Sequence, residues 1–138
     1  MFLLDPRLQA DTLLIGDLSL CRVLLMNDAR YPWCILVPKR ESIGEVFDLS
    51  DEDQHQLWQE STLVAKVMQP LFNADKMNIA TLGNVVRQLH MHVIARTSDD
   101  AAWPAPVWGV HESIPYAPDK AASIIQQIRS LLNPHWSA

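Results

Sequence analysis

The sequence predicts an α+β domain with a mostly antiparallel five-stranded sheet, a long helix after the third strand and a C-terminal helix. Three observations predict it. Short apolar runs succeed one another through brief turns early in the chain, the apolar spacing changes to that of a helix after Ser50, and period-two alternation returns around Gln88. Strands joined by such short turns run antiparallel, because a parallel return needs a long crossover. No glycine-rich phosphate loop follows any strand, which argues against a doubly wound nucleotide fold.

The first three strands are read at residues 12–16, 20–26 and 34–38, all rich in Leu, Val and Ile and separated by Gly16-Asp17 and Asn27-Asp28, with Pro38 closing the third. Ser50 is placed to cap the long helix. Asp53, three residues on, completes a weak capping box, and Asp51 to Asp53 put negative charge at the positive end of the helix dipole. Leu57, Val64, Val67, Met68 and Leu71 then recur on one face, and Pro70 and Asn73 mark the end. Residues 76–81 and 88–96 form the last two strands. Beyond Arg96 the chain is too proline-rich for a central element, so residues 97–118 should wrap the surface. Pro118 opens the final helix across 119–132, where Ile124, Ile125, Ile128, Leu131 and Leu132 give an apolar stripe.

With 138 residues, 49% of them hydrophobic, the chain suits one domain spanning 1–138, with its core motif region at 20–96. A net charge of −5 argues against nucleic-acid binding, which exchanges counterions for matched Lys and Arg. No signal-type or membrane-spanning stretch is read, so neither a membrane partner nor export is expected. Cys21 and Cys34 sit in apolar runs and read as reduced core thiols. The expected location is the cytoplasm.

Chemistry concentrates on Gln88-Leu89-His90-Met91-His92-Val93-Ile94. On a strand, alternate residues share a face with side chains roughly 6 to 7 Å apart, so Gln88, His90 and His92 form one polar row. A neutral imidazole can attack phosphorus, and a second can orient or donate to the reacting group near pH 7. The plainer reading makes them polar residues on a solvated sheet face. A third reading is an H-x-H metal site, but a catalytic metal normally wants a third protein ligand, and the next acids are Asp99 and Asp100 in the proline-rich segment.

These residues resemble the histidine-triad nucleotide hydrolases and transferases, whose signature is H-x-H-x-H followed by two apolar residues. Here the motif is Q-x-H-x-H, with Gln88 in place of the first histidine. Upstream, Cys34-Ile35-Leu36-Val37-Pro38-Lys39-Arg40 is similar to the family's apolar strand ending in proline and basic residues. Phe47-Asp48-Leu49-Ser50-Asp51-Glu52-Asp53 resembles the entry to its long helix, and Asn78 with Gly83-Asn84 resembles its loop before the triad strand. The match covers roughly residues 20–96 in order.

The resemblance implies that His90 attacks the α-phosphorus of a nucleotide, forming a nucleotidyl-histidine that water cleaves, while His92 binds phosphate oxygens or positions the nucleophile. Gln88 would donate a hydrogen bond but cannot act as an acid, so the leaving group must be good or be protonated from elsewhere. Asn27 or Asp28 would bind ribose, and Asn78, Gly83 and Asn84 would contact phosphates or the leaving group. Ordinary turn chemistry is the alternative for each asparagine. Trp33 and Val85 replace polar residues of the family and remove contacts to substrate. Arg96, Lys39 and Arg40 are candidates to offset phosphate charge, with a salt-bridged strand end as the preferred reading of Arg96, whereas alternation sends Arg87 to the face opposite His90. Trp103, Trp108 and Tyr116 suit a clasp at a dimer interface, or a platform for a nucleobase.

The resulting expectation is a phosphohydrolase or nucleotidyl transferase acting on a dinucleoside polyphosphate, of the diadenosine tetraphosphate kind, or on a related nucleotide. It would need no cofactor and would form a homodimer. The rivals are a nucleotide-binding module weak in catalysis and an H-x-H metalloenzyme.

Overall fold

The computed structural model describes residues 1–137. In chain order it contains helix α1 (Pro6–Asp11), strands β1 (Thr12–Asp17), β2 (Cys21–Met26) and β3 (Trp33–Pro38), a 3-10 turn at Val46–Asp48, helix α2 (Asp51–Leu71), strands β4 (Lys76–Thr81) and β5 (Met91–Arg96), and helix α3 (Pro118–Leu131). The strands pair in the order β1-β2-β3-β5-β4, every neighbour antiparallel. This is the α+β, five-stranded architecture that the sequence predicts.

Two boundaries differ from expectation. Helix α1 lies outside it, since six residues carry too little periodicity to register; Asp5 caps it by accepting the Arg7 amide at 2.8 Å, and Pro6 fills the first turn. Strand β5 begins at Met91 rather than at residue 88. Met91 pairs with Thr81, the last residue of β4, and the Leu89 amide turns away to the carbonyl of Ile43 at 3.0 Å. Gln88 and His90 therefore lie on the approach to the strand. The cap of α2 is as read, with Ser50 Oγ accepting from the Asp53 amide at 3.1 Å, and Asn73 takes a left-handed φ of 51° just past the end.

Both faces of the sheet are covered. On one, α2 and α3 lay Leu57, Val64, Met68, Ile124 and Ile128 over Val23, Leu25, Cys34, Leu36, Met91 and Val93. On the other, Leu8 of α1 together with Ala102 and Val107 close over Leu24, Trp33, Ile35, Val37 and Ile94. Strands β3 and β5 are buried along their whole length. Both cysteines are free thiols in the interior, and burial pushes Cys34 up to about 12 and Cys21 further still. No helix among the described residues is long and apolar enough to cross a membrane.

Long-range polar anchors hold the margins. At the β1 bulge, Gly16 leaves no room for a side chain: a Cβ would lie 2.7 Å from the Arg129 guanidinium and 2.8 Å from the Trp136 ring, which pack there from the C-terminal side. Glu60 of α2 is buried at the turn between β1 and β2. Its carboxylate accepts the Leu20 and Cys21 amides at 2.9 and 2.8 Å and a hydrogen bond from Gln56 at 2.7 Å. Glu60→Ala would strand two buried donors, and urea denaturation should show a loss of about 3 kcal/mol with the sheet otherwise intact.

Candidate active site

His90 and His92 stand where the chain enters β5, next to the central strand β3. His92 lies opposite Ile35 of β3 and Ala80 of β4, on the face shared with Ile94 and Trp33. That face is covered, so the two imidazoles are only 6% and 5% exposed rather than displayed on a solvated surface. Their ring centroids are 4.8 Å apart, inclined at 70°.

Each ring has a fixed partner on Nδ1. The Trp33 indole donates Nε1–H to His92 Nδ1 at 3.0 Å. An indole nitrogen can only donate, so His92 accepts there and carries its own proton on Nε2. Burial first, and the neighbouring His90 second, hold the His92 pKa down to about 3, so the ring stays neutral. His90 Nδ1 lies 2.7 Å from the backbone carbonyl oxygen of Gln88. A carbonyl can only accept, so His90 donates from Nδ1, and in the neutral ring the lone pair lies on Nε2. Trp108 closes over the pair, edge-on to His92 at 4.9 Å and to Trp33 at 5.8 Å.

Gln88 stands apart from this pair. Its Nε2 donates to the Leu3 carbonyl at 2.9 Å and its Oε1 accepts the Asp5 amide at 2.8 Å. The amide is thus bound to the N-terminal backbone, and of the expected row the two imidazoles are the members that meet.

The side chains of Asn27, Asp28 and Asn78 have partners of their own. Asn27 Oδ1 accepts the Tyr116 amide at 2.9 Å. Asp28 is buried and holds Arg30 through both oxygens, at 3.0 and 2.9 Å; burial raises its pKa, but the bonds from Arg30 outweigh that and leave it below its ordinary value. Asn78 Oδ1 accepts from Arg96 at 3.0 Å. Gly83 and Asn84 occupy the exposed connection between β4 and β5.

Arg96 is the salt-bridged strand end of the two readings. It is 2% exposed, grips Asp100 at 2.7 and 3.0 Å, donates to the Ala105 carbonyl at 2.8 Å, and lies 5.8 Å from both the Tyr31 and the Trp103 ring centroids. Burial would raise the Asp100 pKa, yet Arg96 and the amides of Thr97, Ala102 and Trp103 hold it below its ordinary value. Lys39 is engaged with the Leu18 carbonyl and Arg40 with Asp53.

Trp33 is the site residue whose role sequence reasoning missed. Read as a lost polar contact, it supplies a donor to His92 from 59 positions away. The one available signal was general: a buried indole N–H needs an acceptor. Among the described residues no group of three His, Cys, Asp or Glu side chains is placed to hold a metal ion.

Residues 7–99 match the family described as HIT domain. Three solved structures, each of a histidine triad protein, are similar over nearly the whole chain. The Sinorhizobium meliloti protein is 47% identical with a TM-score of 0.94, over 96% of this chain and 98% of its own. The Marinobacter aquaeolei protein is 47% identical with a TM-score of 0.95, over 98% of each chain. The Bradyrhizobium japonicum protein is 44% identical with a TM-score of 0.92, over 94% and 96%. No curated protein matches the sequence.

The depressed His92 pKa ties stability to pH. The unfolded chain, with an ordinary histidine value near 6.5, binds a proton that the folded chain refuses, so stability is full above that pH and falls as pH drops toward 3. The expected slope from this one group is about 1.4 kcal/mol per pH unit. Urea titrations between pH 7 and pH 4 should show the slope reduced in His92→Gln.

Proposed function

This chain belongs to the HIT domain family, and on that premise we propose that it is a nucleotide phosphohydrolase, or nucleotidyl transferase, that works through a covalent bond to His90. One observation carries the reading: the paired imidazoles are held in opposite tautomers by partners that allow no other choice. His90 Nε2 offers a lone pair and His92 Nε2 offers a hydrogen. A nucleophile beside a neutral donor is what attack on a phosphate diester or anhydride needs.

In the proposed sequence His90 Nε2 attacks the α-phosphorus. A P–N bond forms as the bond to the leaving-group oxygen breaks and its electron pair departs with that oxygen. His92 Nε2–H donates to a non-bridging oxygen and offsets the charge developing there. Water then attacks the same phosphorus and gives up a proton to solvent, the P–N bond breaks, and the lone pair returns to His90. With Gln88 committed to backbone and His92 neutral, neither residue acts as an acid, so the substrate is one whose leaving group departs as an anion, such as a dinucleoside polyphosphate. The residues invoked supply this chemistry without a cofactor.

The burial of both imidazoles and the commitment of the Gln88 amide favour a second reading, a nucleotide-binding module weak in catalysis. Rapid quench with labelled diadenosine tetraphosphate separates the two. The enzyme accumulates labelled protein within the first turnover, and His90→Ala loses both the label and turnover by at least about 10⁴-fold. Tight binding without label in the unaltered chain selects the module.

We extend the proposal to assembly as a homodimer in the cytoplasm. Strand β4 is a sheet edge with half-buried Met77 and Ile79, whereas its neighbour β5 is wholly buried. Sedimentation equilibrium should return twice the chain mass, and a monomer at micromolar concentration would overturn this part.

A further inference from the structure

The family's first triad position is filled here by a residue that turns its side chain to the opposite end of the sequence. Gln88 uses both ends of its amide on residues 83 and 85 positions away, the Asp5 N–H and the Leu3 carbonyl. A third bond joins the same two segments, from Arg7 Nη1 to the Val85 carbonyl at 2.8 Å. The N-terminal segment is itself anchored, because Asp5 caps α1 and Leu8 of that helix is buried against the face that holds Trp33. Three hydrogen bonds therefore tie residues 3–7 to residues 85–88. The same residue presents its backbone carbonyl to His90 Nδ1.

We propose that Gln88 is a positioning residue: its side chain latches the N-terminal segment across the approach to β5, and the latch fixes the carbonyl that accepts from His90 Nδ1 and so selects the tautomer of that ring. This rests on His90 being the nucleophile, and it goes further. It assigns the glutamine a task suited to its amide, whose donor and acceptor point side by side from one carbon and reach the Leu3 carbonyl and the Asp5 N–H together, whereas the two nitrogens of an imidazole point apart across the ring, and its own carbonyl meets the next ring. Residues 85–88 lie outside the strand ladder, so no sheet hydrogen bonds replace the latch. Freed, the Gln88 peptide would rotate and His90 would sample both tautomers, with only one able to attack.

The test uses the full chain carrying Gln88→Met, Gln88→Glu or Gln88→His. It reads the ¹⁵N shifts of the His90 ring, exchange of the Asp5 amide, and turnover of diadenosine tetraphosphate. In Gln88→Met, Asp5 exchange should quicken by roughly tenfold or more with two hydrogen bonds lost. The His90 nitrogens should move from one tautomer toward an average, and kcat should fall while KM changes little. Gln88→Glu keeps the acceptor for Asp5 and should lie between. Gln88→His restores the family residue, yet should behave like Gln88→Met. Arg7→Met, which removes only the third bond at an exposed site, should shift all three readouts in the same direction by less, and it serves should Gln88→Met fail to fold.

A single His90 tautomer surviving in a chain whose Asp5 amide exchanges freely overturns the proposal. So does Gln88→His turning over at or above the unaltered rate. The nitrogen shifts and the exchange rates need no substrate. Absence of any labelled protein would therefore sink the phosphohydrolase reading while leaving the latch standing or falling on its own evidence.

Discussion

Burial of β3 and β5 on both faces is the constraint from which the rest of this structure follows. A strand covered on both sides can carry a polar side chain only where a partner is already in place, because an unpaired polar group in the interior loses its water for nothing. His92 and Arg96 are the polar residues of β5 on the face away from α2 and α3. Each is met: His92 by the Trp33 indole, Arg96 by Asp100, Asn78 and the Ala105 carbonyl. The covering layer is supplied by α1 and by Ala102, Val107 and Trp108 of the otherwise largely exposed proline- and tryptophan-rich stretch. The same dryness that makes these partners compulsory also gives the imidazoles fixed protonation sites, so stability and reactivity share one cause.

Much of the fold was legible because its signals are local. Period-two and helical spacing, Ser50 before a triplet of acids, and Pro118 ahead of an apolar stripe each depend on a few neighbouring residues, and apart from α1 and the late start of β5 the elements stand where the spacing put them. His90 and His92 were legible for the same reason. What escaped is long-range. Nothing near Trp33 announces that its indole meets His92, and nothing near Gln88 announces Leu3 and Asp5. The assignments of Asn78 and Arg96 as candidate ligands followed from their type, but a side chain's partner is chosen by register: Lys76 opposite Arg96 and Asn78 opposite Ile94 put the amide within reach of the guanidinium.

The site therefore combines parts that the sequence scatters. β5 and the residue before it bring the rings, β3 brings the donor that selects one tautomer, and the loop before β5 brings the acceptor that selects the other. Opposite tautomers on adjacent rings make an asymmetric pair from two identical side chains. In the mechanism we propose, neither charge nor a third imidazole decides which ring attacks and which donates; the direction of two hydrogen bonds does.

Glu60 carries a consequence for the order in which the molecule forms. A hairpin such as β1-β2 is ordinarily early structure, completed by its own turn within microseconds. Here the amides of that turn are satisfied by a carboxylate 40 and 39 positions downstream, on a helix that is itself stabilised by docking to the sheet. The hairpin is thus finished only when the helix arrives, and the helix finds its seat only when the hairpin is present. Local structure is thereby tied to a non-local contact, and the closure of some forty residues of chain is required before the turn has its native partners.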